Sequence, residues 1–153
     1  MIKQFFIPIL FLSILFPKDV SGIIKSYHDN GEIKSEITYQ NGKPNGPYKW
    51  YWENGHISED GNYKNGKLDG PIKIYYWSGK LEIEGFLKDG KKEGIVKGYY
   101  ENGQLRSEGF YKNDKRDGLY KWYSIDGKLT REEIWKDSEL IDAKNYLEEK
   151  SAS

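Results

Sequence analysis

The sequence predicts an all-β fold, an elongated antiparallel meander of five 24-residue β-hairpins followed by a short C-terminal helix. Three observations lead there. Glycine recurs at positions 22, 46, 70, 94 and 118, always 24 residues apart. Pairs such as Asn-Gly and Asp-Gly punctuate runs rich in Tyr, Trp, Ile and Lys. The five segments align over 120 residues without a gap.

The N-terminus stands apart from the repeats. Met1–Gln4 carries a single positive charge, Phe5–Phe16 is uncharged and apolar apart from Ser13, and Val20-Ser21-Gly22 offers small residues. This order matches a secretory signal peptide over residues 1–22 and predicts an exported protein at the cell surface, in the periplasm or in the medium. The apolar run falls short of the roughly 20 residues that span a bilayer. The alternative is an uncleaved N-terminal anchor. No cysteine is present, so neither a processed lipid-anchored cysteine nor a disulfide framework is available.

The repeat units span 22–45, 46–69, 70–93, 94–117 and 118–141, leaving 142–153 as a cap or tail. Within them lysine recurs at 25, 49, 73, 97 and 121, tyrosine at 27, 51, 75, 99 and 123, and an acid at 36, 60, 84, 108 and 132. A first turn lies at Asn30-Gly31, Asn54-Gly55, Ser78-Gly79, Asn102-Gly103 and Asp126-Gly127. A two-residue type I′ turn is expected there, because both of its central residues take positive φ. Asn41-Gly42, Asn65-Gly66 and Asp89-Gly90 mark a second turn between units, with Asn113-Asp114 and Asp137-Ser138 fitting that place less well.

The first turn fixes a register. It opposes Lys25 to Glu36, Lys49 to Asp60, Lys73 to Glu84, Lys97 to Glu108 and Lys121 to Glu132. Opposed charges of this kind contribute about 0.2–1 kcal/mol each and penalise a slipped pairing. They read as structural ion pairs rather than catalytic ones. The same register collects Tyr48, Trp50, Ile57, Ile72, Ile74, Ile83 and Leu87 on one face, with Gly61, Gly85 and Gly109 leaving room for neighbouring rings. The lysines, the acids and the first tyrosine of each unit take the other face. Trp50, Trp52, Tyr76, Tyr100 and Trp122 form the candidate binding face. Beyond the repeats, Leu140, Ala143, Tyr146 and Leu147 share one face of a helix that Ser138 would cap, a frayed tail being the alternative.

Composition removes several functions. Lys plus Arg and Asp plus Glu both number 24, so no net field attracts nucleic acid. Only His28 and His56 exist, in different units, which disfavours a histidine metal cluster. Neither a G-x-S-x-G elbow nor a phosphate-binding loop occurs. No catalytic, cofactor-binding or metal residues are assigned, and the chain is not expected to be an enzyme.

The run Tyr99-Tyr100-Glu101-Asn102-Gly103-Gln104-Leu105-Arg106-Ser107-Glu108-Gly109-Phe110-Tyr111 resembles the MORN repeat in its bacterial variant form. Tyr75-Tyr76 with Gly79, Leu81, Glu84 and Gly85 repeats the pattern, as does Tyr51-Trp52 with Asn54, Gly55, Asp60 and Gly61. The outer units depart from it at His28, Ile37, Ser124 and Glu133, which suits a capping role. The resemblance implies an elongated hairpin scaffold that contacts proteins and sometimes membrane lipid, and it extends to proteins labelled antitoxin-like. Export fits poorly with a cytoplasmic antitoxin. Two functions stay open: a protein-interaction scaffold, or a surface repeat that holds envelope carbohydrate or lipid head groups on its aromatic rows. A contiguous exposed apolar patch would mark the binding face.

Overall fold

A computed structural model describes residues 20–146. Residues 1–19 of the predicted signal segment 1–22, and 147–153 at the end of the predicted tail, lie outside the described residues.

Short alternating runs bounded by turn residues build one antiparallel sheet of 13 strands. The first two hairpins are β1 (Gly22–Tyr27) with β2 (Ile33–Gln40) and β3 (Lys43–Tyr51) with β4 (Ile57–Lys64). The third is β6 (Gly70–Tyr75) with β7 (Leu81–Lys88), preceded by the two-residue β5 (Lys67–Leu68). The fourth is β9 (Gly94–Tyr99) with β10 (Leu105–Lys112), preceded by β8 (Lys91–Lys92). Then come β11 (Lys115–Tyr123), β12 (Leu129–Lys136) and β13 (Glu139–Asn145). Spatial order follows chain order, with β5 and β8 lying beside β4 and β7.

The two turns of each unit differ. Between units, Asn41-Gly42, Asn65-Gly66 and Asp89-Gly90 have positive φ at both residues, and so do Asn113-Asp114 and Asp137-Ser138. This is the type I′ geometry, and its two departures from Asn-Gly or Asp-Gly still adopt it. The first turn is not type I′. Gly103 takes φ +86° while Asn102 is not in the positive region. The Gly103 N–H donates to the Tyr100 carbonyl at 2.8 Å, and the Tyr100 N–H to Gln104 at 2.9 Å. The result is a three-residue loop with a glycine bulge. A second irregularity between Leu105 and Ser107 restores the register, so Lys97 still opposes Glu108.

Among the described residues the predicted C-terminal helix is absent. Its residues extend the sheet as β13, with Glu132 opposite Lys144 and Glu133 opposite Ala143. A helix this short is marginal in water, whereas the open edge of β12 offers unpaired backbone groups along its length.

Among the described residues no second layer packs on the sheet, and the core is thin. Tyr48, Leu87 and Tyr120 are its buried apolar side chains. Two of them lie over glycine. A Cβ on Gly61 would stand 2.8 Å from the Tyr48 ring, and one on Gly109 only 1.9 Å from Tyr120 Cδ2. Missing side chains on one strand thus seat the rings of the next.

Candidate interaction faces

Two faces offer themselves, and the sheet register assigns residues to each. One carries a continuous row of alternating charge. Lys25 opposes Glu36, Glu36 opposes Lys49, and Lys49 opposes Asp60. Asp60 opposes Lys73, Lys73 opposes Glu84, and Glu84 opposes Lys97. The row continues through Glu108 and Lys121 to Glu132 and Lys144. Each predicted ion pair is therefore a register pair within its hairpin, and the acids meet the next unit's lysine as well. Only two of the five predicted pairs close into ion pairs, Lys25–Glu36 at 2.7 Å and Lys121–Glu132 at 3.7 Å; Lys49–Asp60, Lys73–Glu84 and Lys97–Glu108 are opposed in register without a salt bridge. Hydrogen bonding and charge from Glu36 raise the Lys25 pKa, and the Glu36 carboxyl is lowered in turn, first by Lys25 and then by Tyr51.

The tyrosine column closes these acids from the following unit. Tyr51 donates to Glu36 at 2.8 Å, Tyr75 to Asp60 at 3.0 Å, Tyr99 to Glu84 at 2.6 Å and Tyr123 to Glu108 at 3.0 Å. Tyr146, just after β13, repeats the contact with Glu132. Burial, and then the facing carboxylate, push the Tyr51, Tyr75, Tyr99 and Tyr123 phenols up to about 12.

The predicted aromatic face is largely occupied in holding units together. The Trp52 indole donates to the Tyr75 carbonyl at 3.2 Å, and Tyr76 and Tyr100 donate to the carbonyls of Tyr99 and Tyr123 at 2.6 and 2.8 Å. His28 makes the equivalent contact to Tyr51 at 2.9 Å. Trp50 is half-buried opposite Ser35 and Glu59. Trp122 donates to Glu133 at 3.2 Å. Of the five candidates, Trp52, Tyr76 and Tyr100 thus tie one unit to the next, and Trp50 and Trp122 are half-buried. The turn asparagines act alike: Asn30, Asn54 and Asn102 each donate to a carbonyl of the next unit's loop, at 3.0, 2.8 and 3.0 Å.

Glu133 organises the C-terminal end of that face. It occupies the column held by Gly61, Gly85 and Gly109 in earlier units, and it is only 7% exposed. It accepts from Trp122, from Trp135 at 2.9 Å and from Arg131 at 2.6 Å. Burial alone would raise its pKa, but these donors hold it below the usual carboxylate value. Arg116 covers the rings of Tyr120 and Trp135, at 4.4 and 4.8 Å. The aromatic cluster thus already holds a cation from its own chain, which leaves little for an external ammonium group.

The free apolar surface lies on the charged face, where sequence reasoning did not place it. Two residues along each strand from the charge row stand Pro71, Phe86, Ile95, Phe110, Leu119 and Ile134. The register opposes Phe86 to Pro71, Phe110 to Ile95 and Leu119 to Ile134. Phe86, Ile95, Phe110, Leu119 and Ile134 are 43, 58, 42, 46 and 47% exposed. One shallow groove is lined by Pro71, Phe86 and Ile95, and the next by Ile95, Phe110 and Leu119. Toward the N-terminus Asn62 and Thr38 interrupt the row, alternating with Pro47 and Ile23, and Asp142 ends it beyond Ile134. The signal was present in the sequence as an apolar residue two places from each Lys or acid in the later units.

The family model described as MORN repeat variant matches residues 21–41, 44–65, 92–113 and 116–137, more than half of the chain. Four units are matched where the sequence spacing predicted five, and 66–91 lies outside the match. No curated protein matches the chain.

Proposed function

Since the chain belongs to the MORN repeat variant family, whose repeats act as protein- or membrane-interaction modules, we propose that it is an exported, non-enzymatic scaffold contacting another protein through its charged face. The exposed apolar row from Pro71 to Ile134 carries this reading. Contiguous apolar surface flanked by charge is the usual form of a protein-contact site. Export draws its support from the signal-like order of residues 1–22. The unmatched residues 66–91 are read as a further unit, since β6 and β7 keep the Lys73–Glu84 register of the others. An antitoxin role forms no part of the proposal.

Crosslinking capture from the native envelope fraction tests it, with the protein as bait beside a Phe86→Ser/Phe110→Ser variant. Both rings are exposed, so the variant should retain the fold. A specific protein captured by the original chain and lost with the variant is the expected outcome. Retention on isolated wall or lipid, with no protein captured, would overturn it and favour carbohydrate or head-group binding.

A further inference from the structure

The charged face has a symmetry that restricts what fits against it. The charge row contains eleven members in the order of the strands, Lys25 first and Lys144 last. The apolar row accompanies its fifth to tenth members, Lys73 to Glu132. Its midpoint falls between β9 and β10. A two-fold axis placed there, parallel to the strands, maps the apolar row of one molecule onto that of another. Pro71 meets Ile134, Phe86 meets Leu119, and Ile95 meets Phe110.

The same rotation acts on the charges. Because the apolar row has an even number of members, every lysine from Lys73 to Lys144 lands on an acid, while Lys25, Glu36 and Lys49 lie beyond the overlap. Lys73 faces Glu132, Glu84 faces Lys121, Lys97 faces Glu108, and Asp60 faces Lys144. At the rims, Asn62 faces Asp142, a polar meeting a polar. An odd-membered row would have set lysine against lysine. We propose that the partner of this face is a second copy of the chain, joined face to face about that axis. Such an interface is isologous, each contact occurring twice, and packs two sheets with their strands nearly aligned. It rests on the reading of the apolar row as a protein-contact surface.

The sheet edges favour this arrangement over end-to-end assembly. The outermost described strands, β1 and β13, both carry lysine in the charge row, at Lys25 and Lys144. Pairing one molecule's β13 with another's β1 would interrupt the alternation with two adjacent lysines, which opposes the contact.

The test uses the protein as its own cells process it. Its mass in solution is measured by light scattering into the high micromolar range, and the sample is treated with a carbodiimide, which joins touching amines and carboxylates. Lys73 and Glu132 are five strands apart in one sheet, about 24 Å, so a zero-length link between them arises between molecules. The expected result is a dimer with Lys73–Glu132 and Asp60–Lys144 links. Phe110→Lys should abolish it, and Ile23→Lys, in the same row but beyond the footprint, should leave it intact. A monomer would overturn the dimer, as would a dimer lacking those links, surviving Phe110→Lys or lost with Ile23→Lys. If the chain is monomeric yet captures a different protein that Phe86→Ser/Phe110→Ser releases, the scaffold reading stands and only the dimer falls. A monomer that captures no protein and binds lipid vesicles through Phe110 ends both.

Discussion

The phenol of Tyr99 donates to the carboxylate of Glu84 at 2.6 Å, from one hairpin back to the one before it. Four other tyrosines make the same contact with the preceding unit's acid. The bond joins two recurrent columns of the sequence and crosses a boundary between units. It gives the single-layered sheet a tie that hairpin formation alone would not.

Removing that tie should be measurable. Tyr99→Phe deletes only the hydroxyl and leaves Glu84 beside Lys97. A hydrogen bond to a charged acceptor contributes about 1.5–3 kcal/mol where it is buried, and less at this half-buried site. A loss of about 1 kcal/mol is expected in urea unfolding. Tyr27→Phe is the control, because Tyr27 is 60% exposed and no hairpin precedes its own among the described residues.

The same phenols predict alkaline instability. Their folded pKa values lie at about 12, above the ordinary value of 10.0. The unfolded chain therefore releases its protons first as pH rises. The stability they contribute is fully present below pH 10.0 and falls as pH climbs toward about 12. Denaturant midpoints measured across that window should drop steeply. Phenolate absorbance of the native protein should rise later than that of the unfolded chain. A flat midpoint would contradict the inter-unit bonds.

Gly109→Ala places a methyl group 1.9 Å from the Tyr120 ring. Overpacking of this kind costs about 1–3 kcal/mol. The cost should shrink sharply in a Tyr120→Leu background, where the ring is gone. A thermal-unfolding double-mutant cycle reads the coupling. Additive effects would mean that the ring does not rest on the glycine.

Much of this arrangement was legible in the sequence. Ungapped spacing of 24 residues placed the hairpins, and two-residue arithmetic put Lys97 opposite Glu108. The turn beside them was read wrongly. Asn102 recurs for its side chain, which accepts from the Gln104 N–H and donates to the Ile125 carbonyl, while its backbone needs no positive φ. The C-terminal strand was obscured by the helical spacing of Leu140, Ala143 and Tyr146. Yet Lys144-Asn145-Tyr146 is a sixth copy of the Lys-x-Tyr step seen at Lys121-Trp122-Tyr123, arriving one residue early. On the aromatic face Trp52, Tyr76 and Tyr100 each donate to a carbonyl 23 residues ahead, a relation no single hairpin reveals.

Glu133→Gln should loosen the last hairpin selectively. The carboxylate gathers two indoles and Arg131 while nearly buried, and weakening such a network costs about 1–3 kcal/mol. Its lowered pKa sets the sign with pH. Its contribution is present above the unfolded value of 4.5 and is lost as pH falls through the folded one. Tryptophan fluorescence should report an acid transition in the original chain. The Gln variant should lose that transition and start from a lower stability at neutral pH.

The contact face is tested most directly by hydroxyl-radical footprinting of the protein in its native envelope fraction against the purified chain at high dilution. Protection of Phe86, Ile95, Phe110 and Leu119 is expected in the envelope, with Trp77 and Ile125, exposed in the loops, unchanged. Protection of Trp50 and Trp122, with Phe86 and Phe110 as reactive as in the dilute chain, would place the contact on the opposite face and contradict that expectation.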